Sequence, residues 1–401
     1  MSSLAPSPRF VYGLQATLAD WHNKTCQLDD GAITCLNPDF PNLLRVVEMG
    51  IVLPQTRAAA AALMEQCFFW VEGAGHAHTW VPVLQRLIPL LPPENTVLHF
   101  RLLKQQAQFV RQQHHLAEAL LILVQAEQLA QQLDSPSALA DVYANQAAIY
   151  HLQRNYPAAE KAGAAALALC GAEDKLIRAA AFVTLGHLAQ EQGHLSQAEQ
   201  LLHQAIPLCR PLGTTLNTVR ALKILSLINH AQKKYPEALH HLAEAEAILS
   251  GTPHHKDLIE LLQNRGAIYH ECHHLDLAEI TFRQAEQLLQ PLPGLWRNKG
   301  MIATCLGCVY RDQRQAVLAE NAFQQGITFY RQAGDNLLLA NGWGNLAKLW
   351  QQQERLTEAH HYFRQAITLL EQFPHHQWAK ELKKDYENRA AALLQPQSDS
   401  L

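Results

Sequence analysis

A small residue recurs about every forty positions in the middle and C-terminal parts of this 401-residue chain. Successive copies are separated by 40, 39, 40, 40, 41 and 40 residues, and all of them are alanine: Ala119, Ala159, Ala198, Ala238, Ala278, Ala319 and Ala359. Seven evenly spaced copies predict an internal repeat. We call each of these residues the reference alanine of its repeat.

Apolar and small residues follow each reference alanine with the spacing of one helix face. Leucine or phenylalanine stands four residues after it in six repeats, and Gly163 takes that position in the seventh. Alanine or glycine stands seven residues after it in all seven repeats. Positions i, i+4 and i+7 lie on one side of an α-helix, so the pattern predicts an amphipathic helix around each reference alanine.

A second helix is predicted before each reference alanine. Another small residue stands twelve positions earlier, and its seven copies are Ala107, Ala147, Gly186, Ser226, Gly266, Gly307 and Ala347. Two helices pack closely where small side chains face the partner and large ones fill the flanking holes. Proline and glycine between repeats, as in Gly251-Thr252-Pro253 and Phe373-Pro374, interrupt the helices. Each repeat is therefore predicted to be two helices joined by a tight turn.

These residue types in this register resemble tetratricopeptide repeats over residues 100–370. The resemblance implies an all-α fold, a right-handed α-solenoid of about seven 40-residue helix pairs. The usual period of such repeats is about 34 residues, so longer helices are expected here. HEAT and armadillo units have a similar length but lack this small-residue register. The chain is also similar to the sensor arms of bacterial STAND/NB-ARC-type and MalT-like regulators, and to the arms of peptide-sensing quorum regulators.

The pattern divides the chain into five predicted parts. They are an N-terminal segment with short helices (1–53), a degenerate capping repeat (54–98), seven repeats (99–374), a C-terminal capping helix (375–394) and a disordered tail (395–401). A solenoid needs atypical repeats at its ends. The sequence has no GxxxxGK[ST] phosphate loop, so the resemblance extends to the arm of the regulators and not to their ATPase.

Composition narrows the function classes. The chain is 48% hydrophobic and 17% charged with a net charge of −4, which is typical of a soluble folded protein. Its isoelectric point of about 6.6 does not favour broad nucleic-acid binding. No signal-like or membrane-spanning run occurs, and eight dispersed cysteines do not form a disulfide framework, so a cytoplasmic location is expected.

Two motifs suggest chemistry that their positions do not favour. His270-Glu271-Cys272-His273-His274 matches HExxH, but the register places His270 at the end of one helix and His274 in a turn, whereas a zinc site needs both on one helix. Cys305 and Cys308 fall inside a helix beside a glycine, where packing is a better explanation than redox chemistry. Cys26 and Cys35 are left without a role.

A concave groove lined by the first helices is the predicted binding surface, because the resemblance implies a groove that receives peptides. Its candidate residues are Arg101, Lys104, Arg111, Asn145, His151, His187, Arg220, Lys223, His230, Asn264, His270, Arg311, Asn345 and Lys348. Cations exceed the acids Asp141, Glu191, Glu260, Glu271 and Asp312. Asparagine at one repeat position can hold a peptide backbone. The recurring basic residues predict an acidic or carboxylate-ended ligand.

Histidines also recur near the end of the first helix. Together with nearby cations they form an edge without acids in the sequence register: His115, His151, His194, His230, His270, His274, Arg111, Lys234, Arg311 and Arg355. Such an edge is either simply solvated or a pH-sensitive acceptor of anions, since histidine titrates near neutrality.

The leading hypothesis is a non-catalytic scaffold or regulatory subunit that binds a segment of a partner protein, with no cofactor and no metal. A peptide or small-ligand sensor is the first alternative, and a zinc hydrolase using residues 270–274 is the second. Neither a membrane nor a nucleic acid is expected as a partner.

Overall fold

The protein is described here by a computed structural model. It describes residues 6–26, 38–73, 75–210, 215–252, 254–292, 294–374 and 376–393. These residues form twenty α-helices and no β-strand, as the sequence predicts. None of the helices in these ranges is long and apolar enough to cross a membrane. The predicted tail 395–401 and Cys35 lie outside the described residues.

The chain separates into two compact units, residues 1–257 and 258–401. Unit 1 begins with five helices: α1 (Pro8–Cys26), α2 (Phe40–Val52), α3 (Arg57–Gln66), α4 (Phe68–Gly73) and α5 (Ala77–Leu87). Four helix pairs follow: α6 (Thr96–Gln112) with α7 (Leu116–Gln132), α8 (Pro136–Leu152) with α9 (Tyr156–Leu169), α10 (Lys175–Glu191) with α11 (Leu195–Cys209), and α12 (Thr215–Ala231) with α13 (Tyr235–Leu249).

Unit 2 contains three further pairs and a last helix. The pairs are α14 (His255–Glu271) with α15 (Leu275–Leu289), α16 (Trp296–Asp312) with α17 (Ala316–Ala333), and α18 (Asn336–Gln352) with α19 (Leu356–Leu370). The last helix is α20 (Gln377–Ala392). The first three residues of α14 precede the boundary between the two units. The first helix of each of the seven described pairs spans 17 residues. These long first helices account for the forty-residue period.

Small residues set the contact between the two helices of a pair. Every reference alanine has no accessible surface. A Cβ atom added to Gly266 would lie 2.5 Å from the ring of Phe282, and one added to Gly307 would lie 2.6 Å from Phe323. The small position on the first helix therefore admits the large side chain that stands four residues after the reference alanine. This packing confirms the register read from the sequence.

The turn inside each pair contains one residue in the left-handed conformation, five positions before the reference alanine. The seven residues have φ between 58° and 81°: His114, Arg154, Gly193, Lys233, His273, Arg314 and Glu354. The next backbone N–H donates to a carbonyl five residues back, as from His194 to Ala189 at 2.8 Å. This is the Schellman motif, which favours glycine, yet only one of the seven is glycine.

The last helix, α20, packs against α18. Tyr386 on α20 is fully buried, and a Cβ atom added to Gly344 on α18 would lie 2.0 Å from its ring. Lys348 Nζ lies 2.8 Å from Asp385 Oδ2 and 5.3 Å from the centre of the Tyr386 ring. Unit 2 thus ends on a helix that covers part of the surface of α18.

Replacing Ala278 by leucine should lower the free energy of unfolding by roughly 1 to 3 kcal/mol, because the added atoms overpack a fully buried contact. Leu277→Ala is a matched control on the same helix, since Leu277 is 47% exposed and its change should stay within about 0.5 kcal/mol. Urea unfolding followed by circular dichroism measures both. Equal effects of the two substitutions would contradict the assigned register.

The turn position predicts opposite effects for a reciprocal pair of substitutions. Gly193→Ala should destabilise by about 1 kcal/mol, since an L side chain disfavours its φ of 81° although no atom lies within 4 Å of the new Cβ. Lys233→Gly, in the next repeat, should stabilise by up to about 1 kcal/mol. Thermal unfolding of the two variants measures the effects. A midpoint temperature that moves in the same direction in both variants would contradict the prediction.

Candidate functional site on the first helices

The residues predicted to bind a partner all lie on first helices. Unit 1 carries those on α6, α8, α10 and α12, and unit 2 carries those on α14, α16 and α18. We call the surface that these side chains form in each unit its first-helix face. Each face belongs to its own compact unit.

Acidic side chains lie beside lysine, arginine or histidine on the first helices of unit 1. Lys104 on α6 pairs with Asp141 on α8, and His151 Nε2 on α8 lies 3.2 Å from Glu191 Oε2 on α10. Arg101 Nη1 lies 3.5 Å from Glu65 Oε1 on α3. Three of the residues proposed to bind a partner therefore already have acidic neighbours within the protein.

Unit 2 shows the same arrangement. His270 Nε2 lies 2.8 Å from Asp312 Oδ2, and Arg311 Nε lies 2.9 Å from Asp312 Oδ1. The pKa of Asp312 is lowered. Burial by itself would raise this pKa, but the hydrogen bonds and charges of Arg311 and His270 outweigh that effect. Arg355 Nη1 lies 3.2 Å from Glu320. The edge of histidines and cations that the sequence predicts to be without acids therefore has acidic neighbours here, and that prediction is wrong. The register missed them because residues about one repeat apart in sequence meet in space.

The asparagines are also occupied. Asn145 Nδ2 donates to the carbonyl oxygen of Asp141 at 2.8 Å and to its Oδ1 at 3.0 Å. Asn345 Nδ2 donates to Asn341 Oδ1 at 3.4 Å. Asn264 is half-buried at the same repeat position on α14. In two of the three repeats the amide that was expected to hold a peptide backbone bonds within its own helix.

Arg111 differs from the cations described above. Its Nε is buried and has no hydrogen-bond acceptor. Burial, and then the positive charge of Arg220, lower the pKa of the Arg111 guanidinium to about 10, whereas Glu72 opposes the shift. Glu72 Oε1 already accepts hydrogen bonds from Gln108 and Gln112, each at 2.7 Å. Arg220 has no carboxylate partner within the ranges that the structure describes.

Arg111 on α6 and Arg220 on α12 both lie on the first-helix face of unit 1, and the positive charge of Arg220 contributes to the lowered pKa of Arg111. The helices belong to the first and fourth pairs of that unit, so the sequence separation of the two side chains is large. Sequence register alone placed both residues on the face but gave no sign that they interact. A carboxylate between them would offset the repulsion and supply the acceptor that Arg111 Nε lacks.

The HExxH residues do not share a helix. His270 is on α14, which ends at Glu271, and His274 is the N-cap of α15. His273 between them has φ of 59°, so the chain turns within the motif. His270 Nε2 bonds to Asp312 instead of facing His274. The placement read from the sequence register is therefore confirmed, and this structure does not bring the two histidines together as an HExxH zinc site requires.

Cys305 and Cys308 are both on α16. Burial raises the pKa of the Cys305 thiol to about 12 and also raises the pKa of Cys308. A thiol with a raised pKa carries little thiolate at neutral pH and is a weak nucleophile. This environment favours a packing role for the pair.

A tetratricopeptide-repeat family model matches residues 177–250, which cover α10 to α13, and a second one matches residues 344–372 on α18 and α19. The chain contains tetratricopeptide repeats. No curated protein sequence matches the chain.

Solved structures with the same fold include two with low sequence identity. The apo form of RapI is 14% identical, with a TM-score of 0.52 over 71% of this chain and 99% of that one. A STAND protein with a tetratricopeptide-repeat sensor from Pyrococcus horikoshii is also 14% identical, with a TM-score of 0.55 over 78% of this chain and 49% of that one. These likenesses support the all-α solenoid of tetratricopeptide-repeat pairs.

Thiol accessibility tests the interpretation of the cysteines. We expect a thiol reagent at pH 8 to modify the exposed Cys26 well before Cys67, Cys305 and Cys308, because burial raises the pKa of these three thiols. Mass spectrometry of peptides taken at successive times measures each site. In urea, where the protein is unfolded, the four cysteines should be modified at similar rates. Early modification of Cys305 in the native protein would indicate an accessible, reactive thiol instead.

Proposed function

We propose that this protein is a non-catalytic scaffold or regulatory subunit that binds an acidic segment of a partner protein on the first-helix face of unit 1. Tetratricopeptide repeats generally mediate protein–protein interaction, and this chain contains them. The observation that carries the finer proposal is the environment of Arg111, whose buried Nε has no hydrogen-bond acceptor and whose charge is disfavoured by that of Arg220.

Electrostatics favours an anionic group at this position. The guanidinium of Arg111 is partly removed from water, so its positive charge is screened less than that of a surface arginine. A planar guanidinium also fits a carboxylate through two parallel hydrogen bonds. An aspartate, a glutamate or a C-terminal carboxylate of the partner would supply the acceptor, and the neighbouring peptide would lie along the remaining polar side chains of the face.

The paired cations have a different role in this proposal. Lys104 pairs with Asp141 between α6 and α8, and Arg101 lies beside Glu65 on α3. Such pairs fix the spacing of the first helices and leave little charge for a partner. The predicted ligand set therefore narrows from fourteen residues to a centre at Arg111 and Arg220.

The proposal predicts which peptides the full chain selects. Random twelve-residue peptides displayed on phage should become enriched in aspartate and glutamate. The enriched peptide, synthesised with a fluorophore, should bind Arg111→Gln and Arg220→Gln about tenfold or more weakly than wild type, since each substitution removes a charged hydrogen bond. Its affinity should fall as salt is added. Fluorescence anisotropy measures all three effects.

Arg45→Gln is the matched control, because Arg45 is an exposed arginine on α2 in the same unit. It should bind the peptide as the wild type does. Circular dichroism should show the same helix content in every variant. Selection without a bias towards acidic residues would argue against the proposal, and so would an unchanged affinity in both arginine variants.

A further inference from the structure

Three potential metal ligands meet on the first-helix face of unit 1. His151 comes from the last turn of α8, and His187 and Glu191 stand four residues apart on α10. One donor atom from each of these residues lies within 4.8 Å of the others. Residues i and i+4 lie on the same side of a helix, which explains why His187 and Glu191 point towards the same neighbour.

His151 is buried in a way that a polar ring seldom is. Its side chain is 7% exposed, and its Nε2 atom makes no hydrogen bond. Glu191 Oε2 is 3.2 Å away, and interaction with His151 lowers the pKa of Glu191 to about 2, but the two groups do not have the alignment of a geometric hydrogen bond. A buried nitrogen whose only polar neighbour is poorly aligned is costly unless another group uses its lone pair.

We infer that His151, His187 and Glu191 form a binding site for a divalent transition metal ion, with zinc as the expected occupant. Two imidazoles and one carboxylate are a ligand set that zinc accepts. In a tetrahedral zinc site, ligand atoms 2.0–2.1 Å from the ion lie about 3.3 Å apart. His151 Nε2 and Glu191 Oε2 already have nearly this separation. Three protein ligands leave a fourth position for water or for a donor from a partner.

A further residue orients the carboxylate. The hydroxyl of Tyr156, the first residue of α9, donates to Glu191 Oε2 at 3.1 Å. Hydrogen bonds of this kind hold ligating groups in place and tune the affinity for the metal. The rings of His151 and His187 are 4.5 Å apart and inclined at 53°.

Unit 2 contains a natural comparison for this site. His270 stands at the repeat position of His151, and Asp312 at that of Glu191. There His270 Nε2 makes a true hydrogen bond to Asp312 at 2.8 Å, and Arg311 neutralises the same carboxylate. Cys308 stands where His187 does, and burial raises its pKa. In unit 2 the carboxylate of Asp312 is therefore held by His270 and Arg311. In unit 1 the carboxylate of Glu191 has two imidazoles near it instead.

Titration calorimetry of the metal-stripped full chain with ZnCl2 tests the site. Wild type should show one strong zinc-binding event, which His187→Ala and Glu191→Gln should each weaken at least tenfold. The matched control is His270→Ala, which should retain the wild-type affinity. Arg111→Gln should also retain it, so the result is independent of the proposed peptide site. Circular dichroism should confirm that all variants keep the helix content of wild type.

Cobalt substitution provides a second readout. Co2+ at this site should give visible d–d bands without the strong near-ultraviolet band of a thiolate ligand. The inference is overturned if wild type binds no zinc above the background of His187→Ala and Glu191→Gln, if His270→Ala abolishes binding, or if a thiolate band shows that a cysteine holds the ion.

Discussion

The close contact of a small side chain on one helix with a large side chain on the next is the interaction on which this fold depends. Gly266 faces Phe282, Gly307 faces Phe323, and in both pairs even one added carbon would overlap the ring. Because protein interiors are close-packed, such a contact fixes the distance and the register of the two helices together. The reference alanines are all fully buried, so a close contact of this kind occurs in every pair.

The tight turn follows from that constraint. With both helices held at short range, the chain has to reverse within a few residues, and a single left-handed residue achieves this in each pair. Six of the seven are not glycine, so packing holds them in a conformation that their side chains disfavour. The turn is thus formed at some local cost and is maintained by the contacts on either side of it.

The contacts between polar side chains of neighbouring first helices follow from the same close packing of helices. The last turns of neighbouring first helices lie side by side, so a residue near the end of one helix meets a residue one repeat later. His151 and Glu191 in unit 1, and His270 and Asp312 in unit 2, are two copies of this meeting. The second copy is neutralised by Arg311, whereas the first is joined by His187. Small differences at one repeated position therefore separate a structural ion pair from a potential metal site.

The sequence by itself determined the repeat, the helical class, the small-residue register and the separation of His270 from His274 on different elements. All of these depend on spacing along one chain, which composition and periodicity record directly. Only the tertiary structure decided which charges are paired. Lys104 meets Asp141 because packing brings residues of different helices together, and such proximity has no periodic signal along the chain. The binding residues could be placed on a face from the sequence, but their partners, burial and electrostatics required the folded arrangement.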